Sequence, residues 1–233
     1  RGAVIRPVGY IGIRMGSSVR DKIVEVALDR FHTLGFNACG VQEIVDKAGI
    51  PKGSFYNYFK AKELLVVEVL KAYTDGSRRE MLSDKTIAPI KRLRAHFEFL
   101  ASRHARSGYS KGCLIGNIAA ETSDEMPIVR KALARVLANW TELVAGAIRD
   151  GQADGSIDAR LDAEEIARFL INSWEGALIR MKVANSRQPL DDFFSLAFRL
   201  FNRSASQNLS PERGASASRS KRAPSRPKSR RTP

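Results

Sequence analysis

Hydrophobic residues in this 233-residue chain recur at helical spacing, and no stretch sustains the alternation of a strand. From Ser18 onward Ile23, Ala27 and Phe31 stand four apart, with Val24 and Leu28 beside them. They form one apolar face of a first helix, which Ser17 or Ser18 can cap and Gly35 stops. A short second helix is expected over 41–47, followed by the turn Ala48-Gly49-Ile50. Pro51 then suits the start of a third helix over 52–59, because its missing N–H has no partner there anyway. A fourth helix begins near Ala61 or Lys62 and carries an apolar run to Tyr73. Gly76 bends or weakens it, and polar residues as far as Met81 could extend it. Helical stretches follow over 89–107, 112–122, 126–150, 162–185 and 190–202, with a loop over 151–157. The fold class is therefore all-α.

The segment 41–62 has the most specific pattern. Phe55 and Phe59 are four apart and share one face. Packed on Phe31, Ile44 and Val45, they leave Lys52, Gly53, Ser54, Tyr56, Asn57 and Tyr58 nearer the outside. Two short helices joined by a glycine turn, the second presenting amides and aromatics between lysines, fit a DNA major groove. Asn and Tyr can hydrogen-bond base edges or phosphates, and Lys52 can reach a guanine or a phosphate. Gly53 permits close backbone approach. Lys60 and Lys62 stand where the next helix begins, whose free N–H groups also attract a phosphate, and Gln42 opens the helix before. On spacing alone, an ordinary three-helix unit with a solvated polar face fits equally well.

Charge changes the picture less than its total suggests. The net +14 comes mostly from the ends: 203–233 hold nine basic residues against Glu212, and Arg1, Arg6, Arg14 and Arg20 face no acid. The Ser/Arg/Pro/Lys-rich segment 203–233 has almost nothing to bury and is expected to be disordered. Residues 1–17 read as a flexible leader, with 1–14 an extension upstream of Met15. Two cysteines, Cys39 and Cys113, make no disulfide framework, so a cytoplasmic, nucleoid-associated protein is the expectation. No apolar run has the length of a membrane span. His96 and His104 lack a metal-ligand partner pattern. No nucleophile–base pair, phosphate loop or paired carboxylates suggest an enzyme, and no cofactor or metal is expected.

In the segment 109–121, Gly112 breaks the chain before a helix and places Cys113 in its first turn. Exposed N–H groups and Lys111 would favour a thiolate there; the alternative is a small core hydrophobe. A sensing cavity could be lined by Phe97, Phe99, Leu100, Trp140, Leu143, Trp174, Leu178 and Met181, with His96, His104 or Asn172 as polar contacts, although each also suits plain core. Phe169, Leu170, Trp174, Leu178, Phe193, Phe194, Phe198 and Phe201 exceed what one bundle edge needs, and their natural use is a two-fold four-helix interface.

The run from Ala48 to Glu63, Ala-Gly-Ile-Pro-Lys-Gly-Ser-Phe-Tyr-Asn-Tyr-Phe-Lys-Ala-Lys-Glu, resembles the recognition helix and fourth-helix start of the TetR family of bacterial repressors. The resemblance covers about 18–70. It implies an all-helical homodimer with a DNA-binding domain, here 18–62, and a ligand-binding and dimerisation domain, here 63–202. It also implies DNA contacts by Gln42, Lys52, Ser54, Tyr56, Asn57, Tyr58 and Lys62. Gly-Cys-Leu at 112–114, followed by Ala-Ala-Glu and Ser-Asp-Glu-Met, is similar to the electrophile-responsive subgroup, which includes N-ethylmaleimide- and acrylate-responsive regulators. In the former, the cysteine matching Cys113 is the sensor. The expected function is thus a ligand- or electrophile-responsive repressor that binds a palindromic operator as a homodimer. The competing reading is a non-specific architectural DNA-binding protein driven by the basic tail.

Overall fold

The computed structural model describes residues 18–206, and the leader and the tail beyond 206 lie outside it. Among the described residues the regular structure is helical: α1 (Val19–Leu34), α2 (Val41–Ala48), α3 (Lys52–Tyr58), α4 (Lys62–Asp75), α5 (Pro89–Arg106), α6 (Leu114–Glu121), α7 (Pro127–Ala153), α8 (Ala163–Ala184) and α9 (Gln188–Ser206).

Helix ends follow local chemistry. The Ser18 hydroxyl accepts the amide of Asp21 at 3.1 Å and caps α1. Gly49 closes α2 at φ 63°, a left-handed conformation that glycine adopts without strain. The Asp162 carboxylate caps α8 by accepting from Glu165 N at 2.6 Å. Three helices depart from their expected bounds. After α4 the chain does not continue helically to Met81: it breaks at Gly76, Arg78 turns left-handed at φ 51°, and a separate 3-10 turn runs over Arg79–Ser83. α7 runs through Gly151 to Ala153, so the loop begins later, and α9 spans Gln188–Ser206, starting earlier and taking in 203–206 of the segment expected to be disordered.

α1 lies on α2, α3, α4 and α6, and α7 packs on α4, α5 and α8. One continuous apolar core results, from Ile23 and Phe55 at one end to Trp174 and Phe198 at the other. Phe97 and Trp174 centre an aromatic cluster that α9 closes with Phe193, their ring centroids 5.1–5.3 Å apart. Arg92, buried on α5, pairs with Asp150 on α7 and donates to Asp84 O at 3.2 Å.

The amino-terminal helices are tied to the body through α6. The Glu121 carboxylate, at the end of α6, accepts the amides of Phe36 and Asn37 at 3.2 and 2.6 Å, and Asn37 Nδ2 returns a bond to Glu121 O. Gly35 sits against this carboxylate at φ 91°, and a Cβ there would stand 2.7 Å from Glu121 Oε1. At the other end of α6, His32 Nε2 donates to Gly112 O at 2.8 Å, and Lys111 pairs with Asp29 at 3.2 Å.

Candidate nucleic-acid interface and effector cavity

α3 is positioned by its two phenylalanines. Phe55 and Phe59 are buried in the cluster that contains Phe31, Ile44 and Val45. Lys52, Gly53, Asn57 and Lys60 are exposed, Tyr56 and Tyr58 stand 43% and 46% exposed, and Ser54 is half-buried. A Cβ added at Gly53 would meet nothing within 4 Å. The chain's own packing therefore does not demand glycine there, which leaves room for a close neighbour from outside. Gln42 is exposed on α2, its amide held by Asp46 Oδ1 at 2.8 Å. Lys60 Nζ donates to Tyr56 O at 3.2 Å, a surface bond easily exchanged for a phosphate.

Lys62 departs from expectation. Its ammonium is not on the outer face: it donates to Phe36 O at 2.8 Å and Cys39 O at 3.2 Å and lies 4.2 Å from the Phe36 ring centroid. The carbonyls left over after α1 outcompete solvent, so Lys62 pins the α1–α2 turn under α4.

A small interior cavity lies where α4, α5, α6, α7 and α8 converge. Of the expected lining, it receives Leu100, Trp140, Trp174, Leu178, His96 and His104 but not Leu143 or Met181, and Cys113 joins them. Phe97 lies behind it, fully buried among rings; Phe99 is half-buried under Arg78, and Asn172 is exposed. About 20 Å³ is open to the centre of a water-sized sphere, room for roughly one water molecule. Trp140 Nε1 donates to His96 Nε2 at 3.0 Å, so the neutral imidazole carries its proton on Nδ1. Burial pushes His96 and His104 each down to about 3, helped by Arg79 and Arg103 respectively.

Cys113 is the N-cap of α6 rather than part of its first turn, and it is 7% exposed. The thiolate expectation fails here. Burial pushes the thiol pKa up, with the Glu175 carboxyl adding to it, and these outweigh the amides of Gly116 and Ile115 that favour the anion. Lys111, the expected positive neighbour, is engaged with Asp29. Glu175 hydrogen-bonds the thiol, is raised to about 7 by burial, and has one carboxyl oxygen buried without a partner. Gly116 makes room for it, since a Cβ there would stand 2.6 Å from Glu175 Oε2.

Glu175 gives a testable pH dependence. The folded state binds this proton more tightly than the unfolded chain does, so stability falls as pH rises from about 4.5 to about 7. Glu175→Gln should therefore gain stability over the parent at pH 8, by on the order of 2 kcal/mol, and lose that advantage near pH 5. Melting temperatures of both proteins across that range measure it; an equal difference at both ends would refute it.

Sequence reasoning missed Arg79, Arg103, Tyr73 and Glu175. Arg103 was findable, since it lies three residues from Leu100 and seven from His96, on the apolar face of α5. Arg79 reaches the cavity from a polar turn, where periodicity carries no signal. The expected self-association residues also divide. Leu170, Trp174, Leu178, Phe193, Phe194, Phe198 and Phe201 are buried within the chain, and only Phe169 stands out, at 54%. Among the described side chains of α8 and α9, the large apolar ones that face outward are Phe169, Ile179, Val183 and Leu196.

With this geometry in place, comparison with known proteins is informative. Residues 23–69 match the family of bacterial regulatory proteins, tetR family, and residues 89–196 match the tetracyclin repressor-like, C-terminal domain. The chain is 36% identical over 183 residues to the HTH-type transcriptional repressor DhaR of Mycobacterium sp. (strain GP1), covering 77% of this chain and 90% of that protein. The crystal structure of a regulatory protein TetR from Rhodobacter sphaeroides superposes with a TM-score of 0.72 at 32% identity, covering 78% of this chain and 98% of that one. The reduced form of E. coli NemR superposes at 0.69 with 25% identity, covering 78% and 97%. Two amphipathic helices carrying an exposed polar face, set on a helical body with a cavity, thus have the sequence and the fold of known repressors. The chain belongs to the tetR family of bacterial regulatory proteins and is a DNA-binding transcriptional regulator, not an enzyme.

Proposed function

We propose that this regulator is a repressor that reads a two-fold operator as a homodimer and lets go when an effector enters the cavity beside Cys113. The observation that supports it most is the span of α6. Its N-cap, Cys113, and Ile115 in its first turn stand at the cavity, and its last residue, Glu121, holds the turn that leads into the reading helices. An effector that enlarges a cavity with room for one water must move its walls, and α6 carries that movement to α2 and α3. Exposed Lys52, Gly53, Tyr56, Asn57 and Tyr58 read the groove, with Ser54, Gln42 and Lys60 at its edge; Lys62 supports them from behind. α8 and α9 pair with their copies through Phe169, Ile179, Val183 and Leu196. The site of action is the chromosome, in the cytoplasm. Family membership and the well-formed reading head favour this over non-specific binding by 203–233, of which 207–233 lie outside the described residues.

Electrophiles are one effector class that the site supports. The thiol of Cys113 adds to an activated alkene, forming an S–C bond, while its proton passes through Glu175 to the neighbouring carbon. Burial of the neutral thiol makes this step slow until the cavity opens. The experiment uses an operator selected from random duplexes and measures release by N-ethylmaleimide. The parent and Cys39→Ser should release, whereas Cys113→Ser should hold its DNA. Normal release by Cys113→Ser would remove Cys113 as sensor, and failure to select any preferred duplex would remove the repressor reading itself.

A further inference from the structure

The interior cavity concentrates positive charge. Arg79 and Arg103 both reach it, none of its lining side chains is acidic, and Glu175, the carboxyl against Cys113, is held toward its neutral form by burial. Each guanidinium leans on an aromatic face, Arg79 at 5.2 Å from the Trp140 centroid and Arg103 at 4.6 Å from that of Tyr73. Both donate to main-chain carbonyls, Arg79 to Val136 O at 3.2 Å and Arg103 to Gly76 O at 3.3 Å. Arg79 Nε and one terminal nitrogen of Arg103 are buried with no partner. Burial lowers the Arg79 pKa only to about 10, so it stays charged at neutral pH, while the neighbouring histidines stay neutral. Two cations with donors to spare in a low dielectric form a strong anion-attracting field.

Arg79 has a second neighbourhood. It also borders an open groove of about 310 Å³ between α4 and α7, the lower end of the range for small-molecule sites. The groove floor is apolar, with Val67, Leu70, Ala132 and Val136, and Lys71 and Arg135 stand at its edge. Arg79 is therefore the wall between a cationic interior and a surface groove with an apolar floor, whose edge carries Arg135 and the Asp75-paired Lys71.

We propose that the effector is a small organic anion with an apolar body. Its carboxylate bridges Arg79 and Arg103 while its body lies in the α4–α7 groove, and Arg79 leaves the Val136 carbonyl to turn onto the carboxylate and open the wall. The proposal rests on the reading of the cavity as the effector site and specifies what enters it. Because the groove is floored by α4, which continues from the reading head, an occupant there displaces the same helix that Lys62 ties to the α1–α2 turn.

The chain's two tryptophans, Trp140 and Trp174, both line the cavity and report occupancy. The test titrates the full chain with hexanoate or benzoate and with their neutral amides, at constant ionic strength, reading tryptophan fluorescence, melting temperature and operator binding. At least one carboxylate should quench saturably, raise the melting temperature and release DNA, with its amide at least about tenfold weaker. Arg103→Met and Arg79→Met should each weaken that carboxylate at least about tenfold. If a variant does not fold, the carboxylate–amide comparison on the parent decides alone. Equal binding of amide and carboxylate, or no saturable response to either carboxylate, overturns the proposal. Effector-free operator binding, measured alongside, keeps the two readings apart: if it holds and the anions do nothing, only this inference falls.

Discussion

Tyr56→Ala and Asn57→Ala should each erase much of the preference for operator over random duplex while leaving the fold intact. Both side chains stand on the exposed face of α3, and the helix is anchored from behind by Phe55 and Phe59. A side chain that hydrogen-bonds a base edge contributes about 1–3 kcal/mol of discrimination. A homodimer carries the change in both half-sites, so the operator-to-random ratio should fall by roughly one to four orders of magnitude. Gel-shift titration against both duplexes reads the ratio, and melting temperatures show whether stability is spared. Lys62→Ala is the informative control. Were its ammonium on a phosphate, the salt dependence of binding would lose about one unit of slope. Since it holds the carbonyls of Phe36 and Cys39, the expected result is a lower melting temperature with the slope unchanged. Unaltered preference in both the Tyr56 and Asn57 variants would remove α3 as the reading element.

Ile179→Glu combined with Leu196→Glu should yield a folded monomer with operator affinity reduced at least about a hundredfold. Ile179 and Leu196 are 67% and 63% exposed, and Val183 reaches 83%. On α8, Phe169, Ser173, Gly176, Ile179 and Val183 recur every three or four residues and form a single stripe. A Cβ added at Gly176 would meet nothing within 4 Å, so its backbone is open to a neighbouring helix. The stripe lies beside a shallow hollow of about 350 Å³ between α8 and α9, bordered by Phe169 and Leu196. Two copies meeting there would bury these apolar side chains in a four-helix arrangement. Carboxylates placed in that seam must desolvate against apolar side chains. Losing the seam unlinks the two reading heads, so each half-site binds alone at much lower effective concentration. Sedimentation measures the mass and gel shift the affinity. A variant that remains dimeric would place the interface on another face.

Much of the reading head was legible before any coordinates, because its chemistry is local. The Phe55–Phe59 spacing, the Pro51 start and the left-handed Gly49 act within a few residues of themselves, and that is where a helix decides which face is apolar. The body was legible only as helices. Its aromatic residues told that α8 and α9 have much to bury but not which rings they bury themselves. Seven of the eight expected interface residues went inward, because α5 supplies Phe97 and Leu100 as partners from some seventy residues or more away in sequence.

By itself, the sequence determined the helical succession, the glycine turn between α2 and α3 and the polar outer face of α3, since each depends on period and backbone preference over a few residues. The tertiary structure alone decided that Cys113 is a buried neutral thiol facing Glu175, that Lys62 turns inward, and that Arg79 and Arg103 meet at one cavity. Those outcomes depend on which distant segments share a dielectric and a hydrogen-bond partner. A carboxyl 62 residues after Cys113, or a carbonyl 26 residues before Lys62, becomes a neighbour only when the chain has folded.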